Sequence, residues 1–337
     1  MKGKWIQWIF SICFLIQLSG CIGEEKYADD PEGNFRQLWK IIDEQYCFFE
    51  YKNIDWKAIG DKTAKKIKPQ MDEQQLFAVL SEMLNYLQDG HVNLLSSFDQ
   101  SGYDVTTNSV RNFDENILVD NRYLGRSYRT LSGIKYKILN DNIGYIYYES
   151  FQNTLDETDL NNILSYFSAC DGLIIDIRQN GGGNATNSAR IASRFVEKKT
   201  LTGYIQHKTG SGHNDFSTPY PIYLIPAGGV RWTKPVAVLT NRHSYSAAND
   251  FVNHMKGLPN VTIIGDTTGG GGGMPFTSEL PNGWTIRFSA SPHFDDKMNH
   301  IEWGIEPDHK VNMDSKDANK NIDTIIEAAR KRLQLER

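Results

Sequence analysis

The sequence has few cysteines and no run of positive charge, and each shortage excludes a class of protein. Four cysteines in 337 residues cannot build a disulfide framework. Lys and Arg number 36 against 41 Asp and Glu, which gives a net charge of −5. Because affinity for a phosphate backbone depends on clustered cations, nucleic acid is not an expected partner. Apolar residues make up 39% of the chain, which is typical of globular proteins and not of disordered or multi-span membrane proteins.

Several catalytic signatures are also missing. The chain has no His-Glu-x-x-His, no Cys-x-x-Cys, no Gly-x-x-x-x-Gly-Lys and no Gly-x-Ser-x-Gly. The eight histidines show no zinc-ligand spacing, so neither a metal nor another cofactor is expected.

The first twenty residues have the pattern of an export signal, with Lys2 and Lys4 before a short apolar stretch. Leu18-Ser19-Gly20-Cys21 resembles the bacterial lipobox, in which the cysteine takes lipid. We therefore predict a signal peptide over 1–20, a lipid on Cys21 and a polar tether over 21–32. The mature protein would lie in the bacterial cell envelope, anchored to membrane through its N-terminal lipid, on the periplasmic side or at the cell surface. The alternative is an ordinary signal peptide with an incidental cysteine.

Cys13 falls in the predicted signal peptide, and the remaining cysteines, Cys47 and Cys170, lie in apolar surroundings. They could pair in an oxidising compartment, but their separation in the chain does not establish a disulfide. We predict that both are buried free thiols.

Beyond the tether, the hydrophobic pattern divides the chain into three parts. Residues 33–95 have apolar positions at helical spacing, with Asp72 as a helix N-cap, and predict a small helical N-terminal domain. Residues 96–135 form an irregular connecting segment, and residues 136–337 form the core. In this core short apolar runs alternate with helical patterns, which indicates βαβ units and a largely parallel sheet. The strands are predicted over 143–148, 172–177, 236–240 and 261–265, the helices over 155–167, 187–196, 247–255 and 319–333, and a hairpin over 276–289.

Two strand-to-helix turns carry candidate chemistry. After the strand at 172–177 comes Asn180-Gly181-Gly182-Gly183, whose bare amides suit an anion, although a tight structural turn would look the same. After the strand at 236–240 come Ser244 and Ser246, whose default role is to cap the next helix. Asp89-Gly90-His91 and the loop 302–308 supply a histidine and carboxylates.

In this order, Asp-Gly-His, Asn-Gly-Gly-Gly, Ser-x-Ser-Ala-Ala and Gly-Ile-x-Pro-Asp, the motifs resemble the C-terminal processing (tail-specific) peptidase family that includes tricorn protease. The resemblance spans about residues 34–330. It implies an α/β fold, with a crotonase/protease-Clp-like β-β-α core behind the helical domain. Many members also carry a PDZ module of about 80–90 residues, and the segment 96–135 is too short to hold a full one.

The resemblance implies roles for particular residues. Ser246 would be the nucleophile of a serine endopeptidase that cleaves peptide or protein substrates through an acyl-enzyme. The processing branch has a lysine base 25 residues later, but that position here is Gly271. The tricorn-like branch uses a histidine and a late carboxylate, which match His91 and Glu302. The oxyanion hole falls on the N–H groups of Ala247 and Gly182, or Gly181 in place of Gly182.

Two other functions remain open at this stage. A catalytically silent relative could bind peptides or apolar ligands on the same fold. An acyl-CoA enzyme of the crotonase type would use the same oxyanion hole without needing Ser246. The oligomeric state and the cleavage preference do not follow from the sequence.

Overall fold

The computed structural model describes residues 27–107 and 109–335. Within them the helices are α1 (Pro31–Gln45), α2 (Trp56–Ala64), α3 (Glu73–Asn85), α4 (Glu115–Leu118), α5 (Glu157–Tyr166), α6 (Ala185–Ala192), α7 (Ala247–Met255), α8 (Ser315–Ala318) and α9 (Thr324–Leu335). The strands are β1 (Asn93–Leu95), β2 (Arg129–Leu131), β3 (Ile134–Ile138), β4 (Ile143–Tyr148), β5 (Gly172–Asp176), β6 (Thr200–Ile205), β7 (Tyr220–Leu224), β8 (Val236–Thr240), β9 (Val261–Gly265), β10 (Gly273–Glu279), β11 (Thr285–Phe294) and β12 (His309–Lys310).

A seven-stranded sheet forms the centre of the core, in the order β12-β9-β8-β5-β4-β3-β2. Strands β12 through β4 are parallel, and β3 and β2 add an antiparallel edge. One face packs side chains of α5, α6 and α7, and the other packs α9. Burial on both faces explains why β5 and β8 are almost continuously apolar. The predicted α/β fold and largely parallel sheet are confirmed.

A second, antiparallel sheet lies between the core and the N-terminal helices. It has the order β1-β11-β6-β7, with β10 paired to β11. Apolar side chains of α1 and α3 share one buried cluster with Ile286 and Phe288 of β11. The helical segment is therefore packed directly on the hairpin that precedes the Glu302 loop. This contact brings the segment that follows α3 to the core.

Most predicted elements agree with the structure, and the differences have local causes. Asp72 caps α3 in a capping box with Gln75, as predicted. The connecting segment was expected to be irregular, but it contains α4 and β2. Strands β6 and β7 were not predicted, because both are partly exposed and are interrupted by a glycine in β6 and a proline in β7. The last helix begins at Thr324 rather than 319, because a short helix and turn precede it.

Both core cysteines are free and buried, which confirms the prediction for Cys47 and Cys170. No helix among the described residues is both long and apolar enough to cross a membrane. The predicted signal peptide and Cys21 lie outside the residues that the structure describes.

Candidate active site

Ser246 lies at the turn between β8 and α7, in a backbone conformation that non-glycine residues rarely adopt. Its φ is 56° and its ψ is −119°, which costs of the order of 1–3 kcal/mol and is found at functional sites. The Ser246 N–H donates to the Gly270 carbonyl at 2.9 Å and helps to hold this turn. Its Oγ makes no capping bond to α7, so capping, the default role of a serine at this position, does not describe Ser246.

The other serine of this turn has a different environment. Ser244 is fully buried, and its Oγ donates to the Ile177 carbonyl at 2.8 Å. It therefore ties the turn to the end of β5. This hydrogen bond leaves Ser246 as the accessible hydroxyl of the pair.

His91 meets Ser246 across 155 positions of the chain. The His91 Nε2 to Ser246 Oγ distance is 2.8 Å, within reach for proton transfer. The backbone N–H of His91 donates to Asp89 Oδ1 at 2.8 Å, which fixes the segment after α3. The imidazole also lies close to the main chain of Gly273, although Nδ1 makes no hydrogen bond of normal geometry to any described residue.

The surroundings of His91 favour its neutral form. Burial lowers the pKa of His91 to about 4, and the positive charge of Arg287 adds to this effect. The carboxylate of Asp89 acts in the opposite direction but does not overcome the burial. An imidazole that is neutral at pH 7 can accept a proton from the serine.

Glu302 is buried in the same region but does not contact His91. Its Oε1 pairs with Lys52 Nζ at 2.7 Å, and its Oε2 accepts the Gly272 N–H at 2.8 Å. Burial raises the pKa of Glu302 to about 8, and the negative charge of Asp89 contributes in the same direction. The predicted carboxylate is therefore at the site, but it reaches the histidine only through other groups.

The glycine turn lies directly against Ser246. A Cβ on Gly182 would lie 2.8 Å from Ser246 Cβ and 2.9 Å from the Ala247 nitrogen, so only glycine fits there. The Ala247 N–H is the first amide of α7 and has no intrahelical acceptor. In this conformation the Gly182 N–H donates to Asn180 Oδ1 at 2.9 Å, whereas Gly181 is exposed beside it.

The ring of Tyr245 lies against two glycines of the site. Gly271 has φ +78°, and a Cβ there would lie 2.6 Å from a ring carbon of Tyr245, which leaves no room for a lysine. A Cβ on Gly90 would lie 2.8 Å from the Tyr245 hydroxyl, so no larger residue fits before His91 either. The packing of Tyr245 therefore explains why both positions are glycine.

Sequence reasoning missed two buried charged groups of the site. Lys52 was not predicted to be a site residue, and Asp89 entered the prediction only as the first residue of Asp89-Gly90-His91. Both side chains are at most 2% exposed. The available signal was a lysine within the aromatic-rich segment 46–56, where an unpaired cation would be costly to bury.

An α/β fold that carries a strained serine bonded to a buried histidine is typical of serine hydrolases. The family model "Peptidase family S41" matches residues 142–311, half of the chain, and the model "Tricorn protease C1 domain" matches residues 27–85. The chain therefore belongs to peptidase family S41.

Individual relatives agree with this assignment. The carboxy-terminal processing protease CtpA of Bacillus subtilis is 28% identical over 179 residues, which cover 52% of this chain and 36% of that protein. The chain thus spans about a third of the length of the curated relatives it matches. A crystal structure of a proposed peptidase from Parabacteroides merdae is 50% identical, with a TM-score of 0.86, and covers 91% of this chain and 97% of that one. Tricorn protease is 16% identical with a TM-score of 0.53, over 90% of this chain and 36% of that one, and supports the fold alone.

Proposed function

We propose that the protein is a serine endopeptidase in which Ser246 is the nucleophile and His91 is the general base. The observation that carries this proposal is the 2.8 Å contact between His91 Nε2 and Ser246 Oγ. A serine hydroxyl is a weak nucleophile at neutral pH, and it needs a base at this distance. The proposed substrates are peptides or proteins, in agreement with the names of the S41 relatives.

The reaction follows from the positions of these groups. Ser246 Oγ attacks the peptide carbonyl while His91 Nε2 takes its proton, and the imidazolium then protonates the leaving amine. Water hydrolyses the resulting acyl-enzyme by the same route in reverse. Because the pKa of His91 is lowered to about 4, the base is ready over the whole neutral range.

The developing oxyanion requires donors beside Ser246. We assign the Ala247 amide as one donor, since it begins α7 and faces the position where Gly182 lacks a side chain. The second donor is a glycine amide of the turn. Since the Gly182 N–H is bonded to Asn180 Oδ1, the Gly181 amide is the donor we propose for this conformation, and Gly182 contributes the open space.

Covalent labelling of Ser246 tests the function directly. A fluorophosphonate probe is expected to modify wild-type protein at Ser246 and to leave Ser246→Ala unmodified, with peptide cleavage lost in parallel. If folded wild-type protein is not labelled, the peptidase assignment fails and a peptide-binding or apolar-ligand-binding role on the same fold takes its place. Thioester hydrolysis that persists in Ser246→Ala would indicate the crotonase type of chemistry.

We also propose that the protein is a lipoprotein of the bacterial cell envelope, attached through Cys21. The support is the sequence pattern of the first 21 residues. Two or more acyl chains on one cysteine give a stable anchor, whereas one chain does not. Cys21→Ser is expected to move the protein from the membrane fraction to the soluble fraction, and continued membrane retention would contradict the anchor.

A further inference from the structure

Lys52 is a buried cation that lies between the segment before His91 and the loop that carries Glu302. Its side chain is only 2% exposed, and its ammonium group has three hydrogens to donate. They meet three acceptors, the Leu87 and Gln88 carbonyls at 3.2 Å each and Glu302 Oε1 at 2.7 Å. Every donor of the buried ammonium is therefore used.

The acceptors belong to two loops that must keep a fixed separation. Leu87 and Gln88 are in the segment that leads from α3 to His91, whereas Glu302 is in the loop after β11. The Glu302 loop also receives the Gly272 N–H at 2.8 Å. Lys52 thus fastens the segment with the histidine to the loop that borders the nucleophile.

The charges favour the same arrangement. Asp89 Oδ2 lies 3.7 Å from Lys52 Nζ, so one cation is placed between two buried carboxyl groups. The face of the Trp303 ring lies 4.6 Å from the ammonium and adds a cation–π contact. The Tyr46 hydroxyl donates to Asp89 at 3.1 Å and completes the network.

We propose that Lys52 is a positioning residue for His91, and that Glu302 acts on the reaction through Lys52 rather than by contact with the imidazole. This inference rests on the proposed serine peptidase function. Glu302 Oε1 pairs with Lys52 and Oε2 accepts the Gly272 N–H, and neither oxygen forms a hydrogen bond with His91. Loss of the ammonium would free the segment before His91 and lengthen the His91–Ser246 contact.

Kinetics of Lys52 variants test this role. Lys52→Met is expected to lower kcat about 10- to 100-fold, because a displacement of about 1 Å at a reacting group has an effect of this size. KM should stay within about twofold of wild type, because no substrate contact is removed. Lys52→Arg, which keeps the positive charge, should recover most of the lost kcat. The matched control is Lys62→Met at an exposed lysine bonded to the Tyr86 hydroxyl, which should leave kcat unchanged.

A double variant separates action through Lys52 from independent action. If Glu302 acts through Lys52, Lys52→Met/Glu302→Gln should be no more than about threefold slower than the slower single variant. Losses that multiply would overturn the proposal, as would an unchanged kcat in Lys52→Met. If Lys52→Met does not fold because two carboxyl groups lose their cation, Lys52→Gln, which removes the charge but keeps a polar side chain, takes its place in the same cycle with Glu302→Gln. Absence of Ser246 labelling in wild type would instead mean that the proposed function has failed.

Discussion

Two buried charge clusters support this fold, and each places one cation between two carboxyl groups. In the first, Arg178 pairs with Asp176 at 2.6 Å and with Asp323 at 2.9 Å, at the end of β5. In the second, Lys52 pairs with Glu302 and Asp89 near the histidine. The first holds the strand that leads into the glycine turn, whereas the second holds the segment that carries His91.

The two clusters differ in how their members are arranged along the chain. Asp176 and Arg178 are two residues apart on one strand end, and the guanidinium binds both oxygens of Asp176. This bidentate geometry is rigid and is set by local structure. Lys52, Asp89 and Glu302 come from three distant segments and meet only in the folded protein. We infer from this comparison that the Arg178 cluster contributes mainly to stability and that the Lys52 cluster acts mainly on the alignment of His91 with Ser246.

The largest effect is expected when the Arg178 cluster is broken. Arg178→Met leaves two buried carboxylates without their cation and should lower the free energy of unfolding by about 3–5 kcal/mol. Arg36→Met, which removes an exposed pair with Glu32, is the control and should change the free energy of unfolding far less. Chemical denaturation measures both. Equal small losses in the two variants would contradict a mainly stabilising role for the Arg178 cluster.

A second effect, which depends on pH, is expected at Glu302. Its pKa of about 8 in the folded protein lies above the ordinary value of 4.5, so the folded state holds a proton that the unfolded state has released. Stability is therefore lost as pH rises from about 4.5 to 8, by at most ~1.4 kcal/mol per pH unit. In Glu302→Gln this loss should disappear, so the variant gains stability relative to wild type between pH 5 and 8.

The control for this measurement is Glu82→Gln at an exposed ion pair with Lys66. Its stability curve should run parallel to that of wild type above pH 5. If the Glu302→Gln curve is also parallel to wild type, Glu302 does not carry the raised pKa, and the electrostatic account of the second cluster is wrong.

The smallest expected effect concerns Ser244, in the turn between β8 and α7 that also carries Ser246. Ser244→Ala removes the hydrogen bond to the Ile177 carbonyl and should cost about 1–2 kcal/mol of stability. Labelling of Ser246 should persist, because Ser244 does not contact the reacting groups. Loss of labelling in a folded Ser244→Ala protein would show that this turn is aligned by the buried hydroxyl.

Local patterns were sufficient to predict the parallel sheet. Buried strands such as β4 and β8 were predicted at their observed bounds, because their apolar runs end at turn residues. The antiparallel strands β6 and β7 were missed, since partly exposed strands that contain a glycine or a proline have a weak pattern. Pairing with a distant strand, rather than local propensity, stabilises them.

The site was predictable to the extent that its residues stand in recognisable motifs. Ser246 and His91 were both selected, and the structure brings them to 2.8 Å. Lys52 was not predicted, because the groups it contacts lie 35 or more positions away in the chain and become its neighbours only in the folded protein. The role of Glu302 could not be refined from sequence for the same reason, since the group it contacts was unknown.

The central claim is that a neutral His91 removes the proton of Ser246, and the pH dependence of the labelling rate tests it most directly. The rate of fluorophosphonate modification should be constant from about pH 8 down to 5 and fall with a midpoint at about 4, the pKa of His91. His91→Ala should keep nearly the same Tm and be labelled far more slowly, without this transition. A midpoint near the ordinary histidine value of 6.5, or wild-type labelling in His91→Ala, would contradict the account.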